Sequence, residues 1–206
     1  MLALTPGLLA GCGKGMENGG QDVDMISERP SKLPDQPKGS GPLWPLTPGK
    51  TWRTLTLRPN AANANSEIRV AGTRKMPDGR SGTLVQSFRN GKLFRVEVYQ
   101  AEPSGALKLM ALGENEKKML SFTPAIPVLG APTKEGQSYQ WNGTARIDGK
   151  DYPATAFHRL SAVETVKTPF DSYRTFRLDG IVTLLNGNQR IDYPAVMWFV
   201  PGKGIA

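Results

Sequence analysis

The sequence predicts a mostly β fold: a curved antiparallel sheet or incomplete β-barrel of about eight to ten strands, with little helix. Three observations lead there. From Leu43 onward, short stretches alternate apolar and polar residues, as half-buried strands do. Within 43–206 six Asx-Gly pairs punctuate them: Asp78-Gly79, Asn90-Gly91, Asn142-Gly143, Asp148-Gly149, Asp179-Gly180 and Asn186-Gly187. Such pairs favour the positive φ that two-residue hairpin turns require. Helical periodicity is nearly absent; only "GENEKKMLSF" offers a short helical turn, with too few apolar positions for a core helix.

Taken from the N-terminus, residues 1–12 end in Leu9-Ala10-Gly11-Cys12, a full lipobox. Small residues at Ala10 and Gly11 let a peptidase reach the bond before the cysteine, whose thiol can then be diacylated with palmitate-like chains. Each buried CH₂ adds about 0.8 kcal/mol of membrane affinity, so several chains anchor firmly. The preceding "MLALTPGLLAG" is short and carries no Lys or Arg. Either the true start lies upstream or the segment is not a signal peptide; the expectation is a start upstream. Residues 13–42 contain no aromatics, abound in Gly and Pro, and mix both charges. They cannot bury enough apolar surface to offset their ordering entropy, which predicts a disordered tether.

The β domain is then 43–206. "SFRNGKLFRVEVYQ" is its clearest hairpin: Phe88 precedes the Asn-Gly turn, and Phe94, Val96 and Val98 alternate with Arg95 and Glu97 on the other face. "TARIDGKDYPATAF" and "GIVTLLNGNQRIDYPAVMWFV" predict two more. A faint echo links Pro45, Gly49 and Trp52 to Pro132, Gly136 and Tyr139 in the pattern P-x3-G-x2-aromatic, which suits two similar β halves or a chance match of Pro/Gly-rich loops. In "WFVPGKG", Trp198 and Val200 share one strand face and Phe199 takes the other, with Trp198 read as a core anchor.

The chain has one cysteine, Cys12, and one histidine, His158. That excludes an internal disulfide framework and multi-cysteine zinc sites. No nucleophile elbow, P-loop or dinucleotide fingerprint is present. His158 reads as a hydrogen-bonded or exposed strand histidine, Glu114/Glu116 as loop carboxylates, and Asp148/Asp151 as turn chemistry. The expectation is therefore no catalytic residue, no metal, no cofactor and no enzyme. Residues 43–206 hold 22 basic and 13 acidic residues, while the whole chain is +8. The cations are scattered, with no run longer than two, so a nucleic-acid partner is not expected. The surplus suits solubility, with an anionic glycan as a further option.

Four segments carry a resemblance: "LWPLTPGKTW" (43–52), "PVLGAPTKEGQSYQWNG" (127–143), "ETVKTPFDSYRTFRL" (164–178) and "YPAVMWFVPGKGIA" (193–206). Together they resemble bacterial envelope lipoproteins of unknown function that close on a W-[YF]-x-P-G-x-G strand. The chain departs from that pattern at Phe170-Asp171-Ser172-Tyr173, where a glycine is usual before Ser172 and an Asp-initiated turn must serve. It also stops at Ala206, where the pattern continues; with the short start, this suggests a fragment or an early stop. The resemblance implies a curved antiparallel sheet or incomplete barrel and an envelope location, and brings no catalytic residues. The expected function is a membrane-anchored lipoprotein with a structural or interaction role, held through Cys12 and facing the periplasm or exterior, with an envelope protein as partner. The alternative is a carrier of a lipid or other apolar ligand, with Tyr99, Tyr139, Trp141, Phe157 and Phe176 lining the concave face.

Overall fold

The computed structural model describes residues 42–56, 64–167 and 172–205. The expected lipidation site Cys12, the expected tether up to residue 41 and the expected turn at Asp171 lie outside them. Among the described residues, eleven strands form one antiparallel sheet in sequence order: β1 Thr51–Thr56, β2 Ala64–Lys75, β3 Ser81–Arg89, β4 Lys92–Ala101, β5 Leu107–Asn115, β6 Lys118–Leu129, β7 Ser138–Ile147, β8 Lys150–Lys167, β9 Ser172–Asn186, β10 Gln189–Val200 and β11 Gly204–Ile205. No helix occurs among them. The sheet curls until it is nearly closed into a barrel with one unsealed seam. The count exceeds eight to ten partly because β11, two residues after Pro201-Gly202, is too short to show alternation.

Four of the six Asx-Gly pairs make turns. Asn90 and Gly91 join β3 to β4 at φ 48° and 75°, and Asp148 and Gly149 join β7 to β8 at φ 48° and 77°. Both central residues are left-handed, as the tight hairpin turn requires. Asp78-Gly79 and Asn186-Gly187 also connect strands. The other two pairs correct the expectation, for they lie inside β7 and β9. A Cβ at Gly180 would collide with the His158 ring on the neighbouring strand β8, so this glycine serves close approach rather than turning. "GENEKKMLSF" is no helical turn either. It is the β5–β6 hairpin, where the Asn115 side chain accepts from the Lys117 and Lys118 amides at 2.9 and 3.1 Å.

The main core fills the inner face, with Trp44, Val70, Val85, Phe122, Leu160, Leu178 and Phe199 all buried. A second, smaller cluster of Met76, Leu84, Val96, Val98, Met110 and Ala111 packs on the opposite face of β3–β5. Its rim is closed by Glu116 at the β5–β6 tip, which pairs with Arg74 at 2.8 Å and accepts from Gln86 at 3.1 Å. The sheet's terminal strands meet at the seam through side chains rather than a ladder. Trp52 on β1 lies against Gly204 on β11 and donates its indole N–H to the Lys203 carbonyl at 2.7 Å. Trp198 is not the core anchor. Its indole donates to Glu164 at 2.8 Å on the outer face, with Arg177 over its ring at 5.8 Å, while Phe199 turns inward opposite Phe176. A carboxylate and a guanidinium satisfy the tryptophan where solvent also reaches it.

The faint sequence echo has a structural counterpart. The Gly49 amide donates to Val70, and Val70 donates back to Lys50; the Gly136 amide donates to Leu160, and Leu160 donates back to Gln137. Trp52 pairs with Ile68 as Tyr139 pairs with His158. Each second strand then bulges, between Val70 and Gly72 and between Leu160 and Ala162. Carried onward through the registers, Val85 matches Leu178, Glu97 matches Met197, and Tyr99 matches Phe199. Strands β1–β5 and β7–β11 are thus two copies of one pattern, joined by β6. Trp44 packs between them, with its ring 5.1 Å from Tyr99 and 5.5 Å from Phe199.

Candidate functional site

Side chains two apart on a strand share a face. On β4 that rule sends Arg95, Glu97 and Tyr99 to the barrel interior and Val96 and Val98 to the second cluster. Both faces of this strand are covered, so the alternation read from the sequence is present and its polar side is the one that points inward. Arg95 Nη2 meets Glu97 Oε1 at 2.6 Å. The Tyr99 hydroxyl also bonds the Glu97 carboxylate, and burial pushes its titration well above the usual tyrosine range, with Glu97 adding to the shift. Arg95 is held still more firmly protonated, chiefly by the Glu97 charge. Glu97 is 7% exposed and Arg95 32%, so the pair reaches from the interior toward solvent.

His158 comes from β8 in the second half of the chain. It is buried, with Tyr139 opposite it on β7 and Gly180 opposite it on β9. Its ring donates to the Pro127 carbonyl on β6. Burial lowers its pKa to about 4, against the smaller opposing effect of that bond. The ring is therefore neutral at pH 7, and with one nitrogen donating to Pro127 the other is an acceptor. Two polar atoms here are buried without a protein partner: His158 Nδ1 and Arg95 Nε.

These residues line a cavity of about 20 Å³, partly open to the outside. Its other walls are apolar, among them Leu109, Leu112, Val128, Val182 and Met197. A cavity of that volume holds about one water-sized group. Among the described residues no group of three or more His, Cys, Asp or Glu is placed to hold a metal ion. Glu116 is tied to Arg74, and Asp151 to Arg146 at 2.6 Å beside the Asp148-Gly149 turn.

Of the five aromatics expected to line a ligand site, only Tyr99 borders the cavity. Tyr139 is half-buried with its hydroxyl over the Gly130 backbone, and burial raises its titration. Trp141 is buried edge-on to Phe122 at 6.1 Å. Phe176 packs against the main core. Phe157 is on the opposite face of β8 and 39% exposed. Arg95 and Glu97 were visible in the sequence only as the polar side of a hairpin. Three long polar or aromatic residues at i, i+2 and i+4 facing an all-valine side were the available signal.

On the outer surface, the β3–β4 tip exposes Leu93 and Phe94, with Arg89 stacked 4.6 Å over the Phe94 ring. Among the described residues neither Arg89 nor Lys92 pairs with a carboxylate. No protein-family model, no curated protein and no solved structure matches the chain.

Proposed function

We propose that the chain is a bacterial envelope lipoprotein, anchored by lipid at Cys12, whose β domain has no catalytic role and contacts an envelope partner. The lipobox, the polar segment behind it and the resemblance to envelope lipoproteins support the anchor. The contact role is carried by the β3–β4 tip, where apolar Leu93 and Phe94 stand exposed beside Arg89 and Lys92, which pair with no carboxylate among the described residues. Such a mixture suits a partially apolar, acidic partner surface. Expression from the native gene with labelled palmitate tests the anchor: label should enter the wild type and not Cys12→Ala. A photo-crosslinking residue at position 94 should capture a partner in envelope preparations, and capture should fall in Arg89→Glu/Lys92→Glu. Unlabelled wild type sinks the anchor, and crosslinking indifferent to the charge reversal sinks the tip.

A second reading is favoured by the two unpartnered buried atoms at the cavity. In it the barrel takes the polar end of a small ligand into the cavity, beside the apolar walls formed by Leu109, Val128 and Met197. The full chain, purified without detergent and extracted with organic solvent, should then release a bound small molecule detectable by mass spectrometry. Extracts that match a buffer blank would remove this reading.

A further inference from the structure

The two halves of the barrel place equivalent residues around one cavity, and the residues differ. Where the first half has Arg95, Glu97 and Tyr99, the second has Ala195, Met197 and Phe199. Where the second half has His158, the first has Ile68. The strand pattern thus accepts apolar side chains at every one of these positions. Nothing in the scaffold calls for the polar set, and the set is costly. Burying an Arg–Glu pair gains little over apolar packing. A buried donor or acceptor without a partner keeps its full desolvation penalty. All four polar residues nevertheless border the same cavity, three from one half and one from the other.

From this we infer that the cavity is a binding site whose head position takes an uncharged group bearing both a donor and an acceptor, a hydroxyl or a primary amide. The inference rests on the carrier reading and names the ligand's polar end. Arg95 Nε offers an N–H and asks for an acceptor; His158 Nδ1 offers a lone pair and asks for a donor. A hydroxyl supplies both an acceptor and a donor. A carboxylate satisfies only Arg95, brings a second anion beside Glu97, and sets its lone pairs against the imidazole nitrogen. At about 20 Å³ the space admits the head group alone. The ligand's remainder then lies outside the cavity, on the side where Arg95 is one-third exposed.

His158 is the only histidine, so histidine-selective ¹⁵N labelling of the full chain gives the signals of one ring. The probes are 1-butanol, 1-hexanol and hexanamide, against hexanoate, at pH 7. Alcohols and the amide should shift the Nδ1 resonance saturably, with hexanoate at least tenfold weaker. Arg95→Met and Glu97→Gln should weaken the alcohol response at least fivefold while the ring keeps the tautomer and bond to Pro127 seen in the wild type. Retention of that ring signature shows that the variants still fold. An equal response to hexanoate overturns the assignment of the head position. Absence of any saturable shift also overturns it, and means that the cavity holds water only. If extraction of the protein does release a ligand while the His158 ring remains indifferent to all probes, the carrier reading survives and this assignment alone falls.

Discussion

His158 shows how one buried side chain ties stability to pH. Its ring faces the Pro127 carbonyl from β6 and Gly180 from β9, and shares its cavity with Arg95, Glu97, Tyr99 and Tyr193. In the unfolded chain an ordinary histidine takes up its proton near pH 6.5, whereas the folded protein waits until about pH 4. Between those values the unfolded state binds more protons, so stability falls as pH falls through that window and is level above it. A displacement of that size corresponds to about 3 kcal/mol. His158→Ile places here the residue type that Ile68 supplies at the equivalent position, and should remove this component. Urea unfolding at pH 7, 5.5 and 4 should show the wild type losing about 3 kcal/mol more than the variant over the range. Parallel pH profiles in the two proteins would show that the ring is not desolvated in the folded state.

At the scale of the strand, the Asp179-Gly180 pair separates what the sequence displays from what it hides. The six Asx-Gly pairs look alike in the sequence. Asn90-Gly91 and Asp148-Gly149 have positive φ at both residues and turn the chain, whereas Asp179-Gly180 runs straight through β9. The residue across the ladder decides the difference: Gly180 has an imidazole over its Cα, and that pairing is long-range information. Gly180→Ala should cost about 1–3 kcal/mol through overpacking. Most of that cost should vanish in a His158→Ala background, where the ring is gone. Chemical denaturation of the four proteins of this cycle checks it, and additive costs would place the strain elsewhere. The same reasoning explains which features were legible. Local alternation and turn chemistry reveal the hairpins and the all-β class. They do not reveal which face of β4 points inward, because Val96 and Val98 found a second apolar cluster on the far side. Nor do they reveal that Trp198 would be satisfied by Glu164 and Arg177 instead of by the core. The polar cavity was out of reach for the same reason, since Arg95 and His158 come to line one cavity only after the sheet has curled.

At the scale of the whole molecule, two similar halves make a barrel whose closure depends on few groups. The β8–β9 ladder is long, from Ala154↔Leu184 to Lys167↔Ser172, while β6 and β7 share only the stretch from Ser121↔Arg146 to Thr123↔Thr144. The seam between β1 and β11 has the indole of Trp52 on Gly204 and a single hydrogen bond to Lys203. Behind it stands Trp44, edge-on to Trp52 at 6.1 Å and packed on Tyr99 of one half and Phe199 of the other. Opening free energies in one protein range from near zero to the global value, and elements with few partners open first. Strand β1 has a ladder only on its β2 side, so its amides should exchange well before those of β8 and β9. Trp44→Ala removes the shared aromatic and should cost about 3–5 kcal/mol. If Trp44 holds the seam, the loss appears first as faster exchange across Thr51–Thr56 and Gly204–Ile205, with β8–β9 changed least by the mutation. Native-state hydrogen exchange followed by mass spectrometry distinguishes this from the alternative. Equal loss of protection in β1 and in β8–β9 would mean that the barrel opens only as one unit, and that the seam is no weaker than the ladders that flank it.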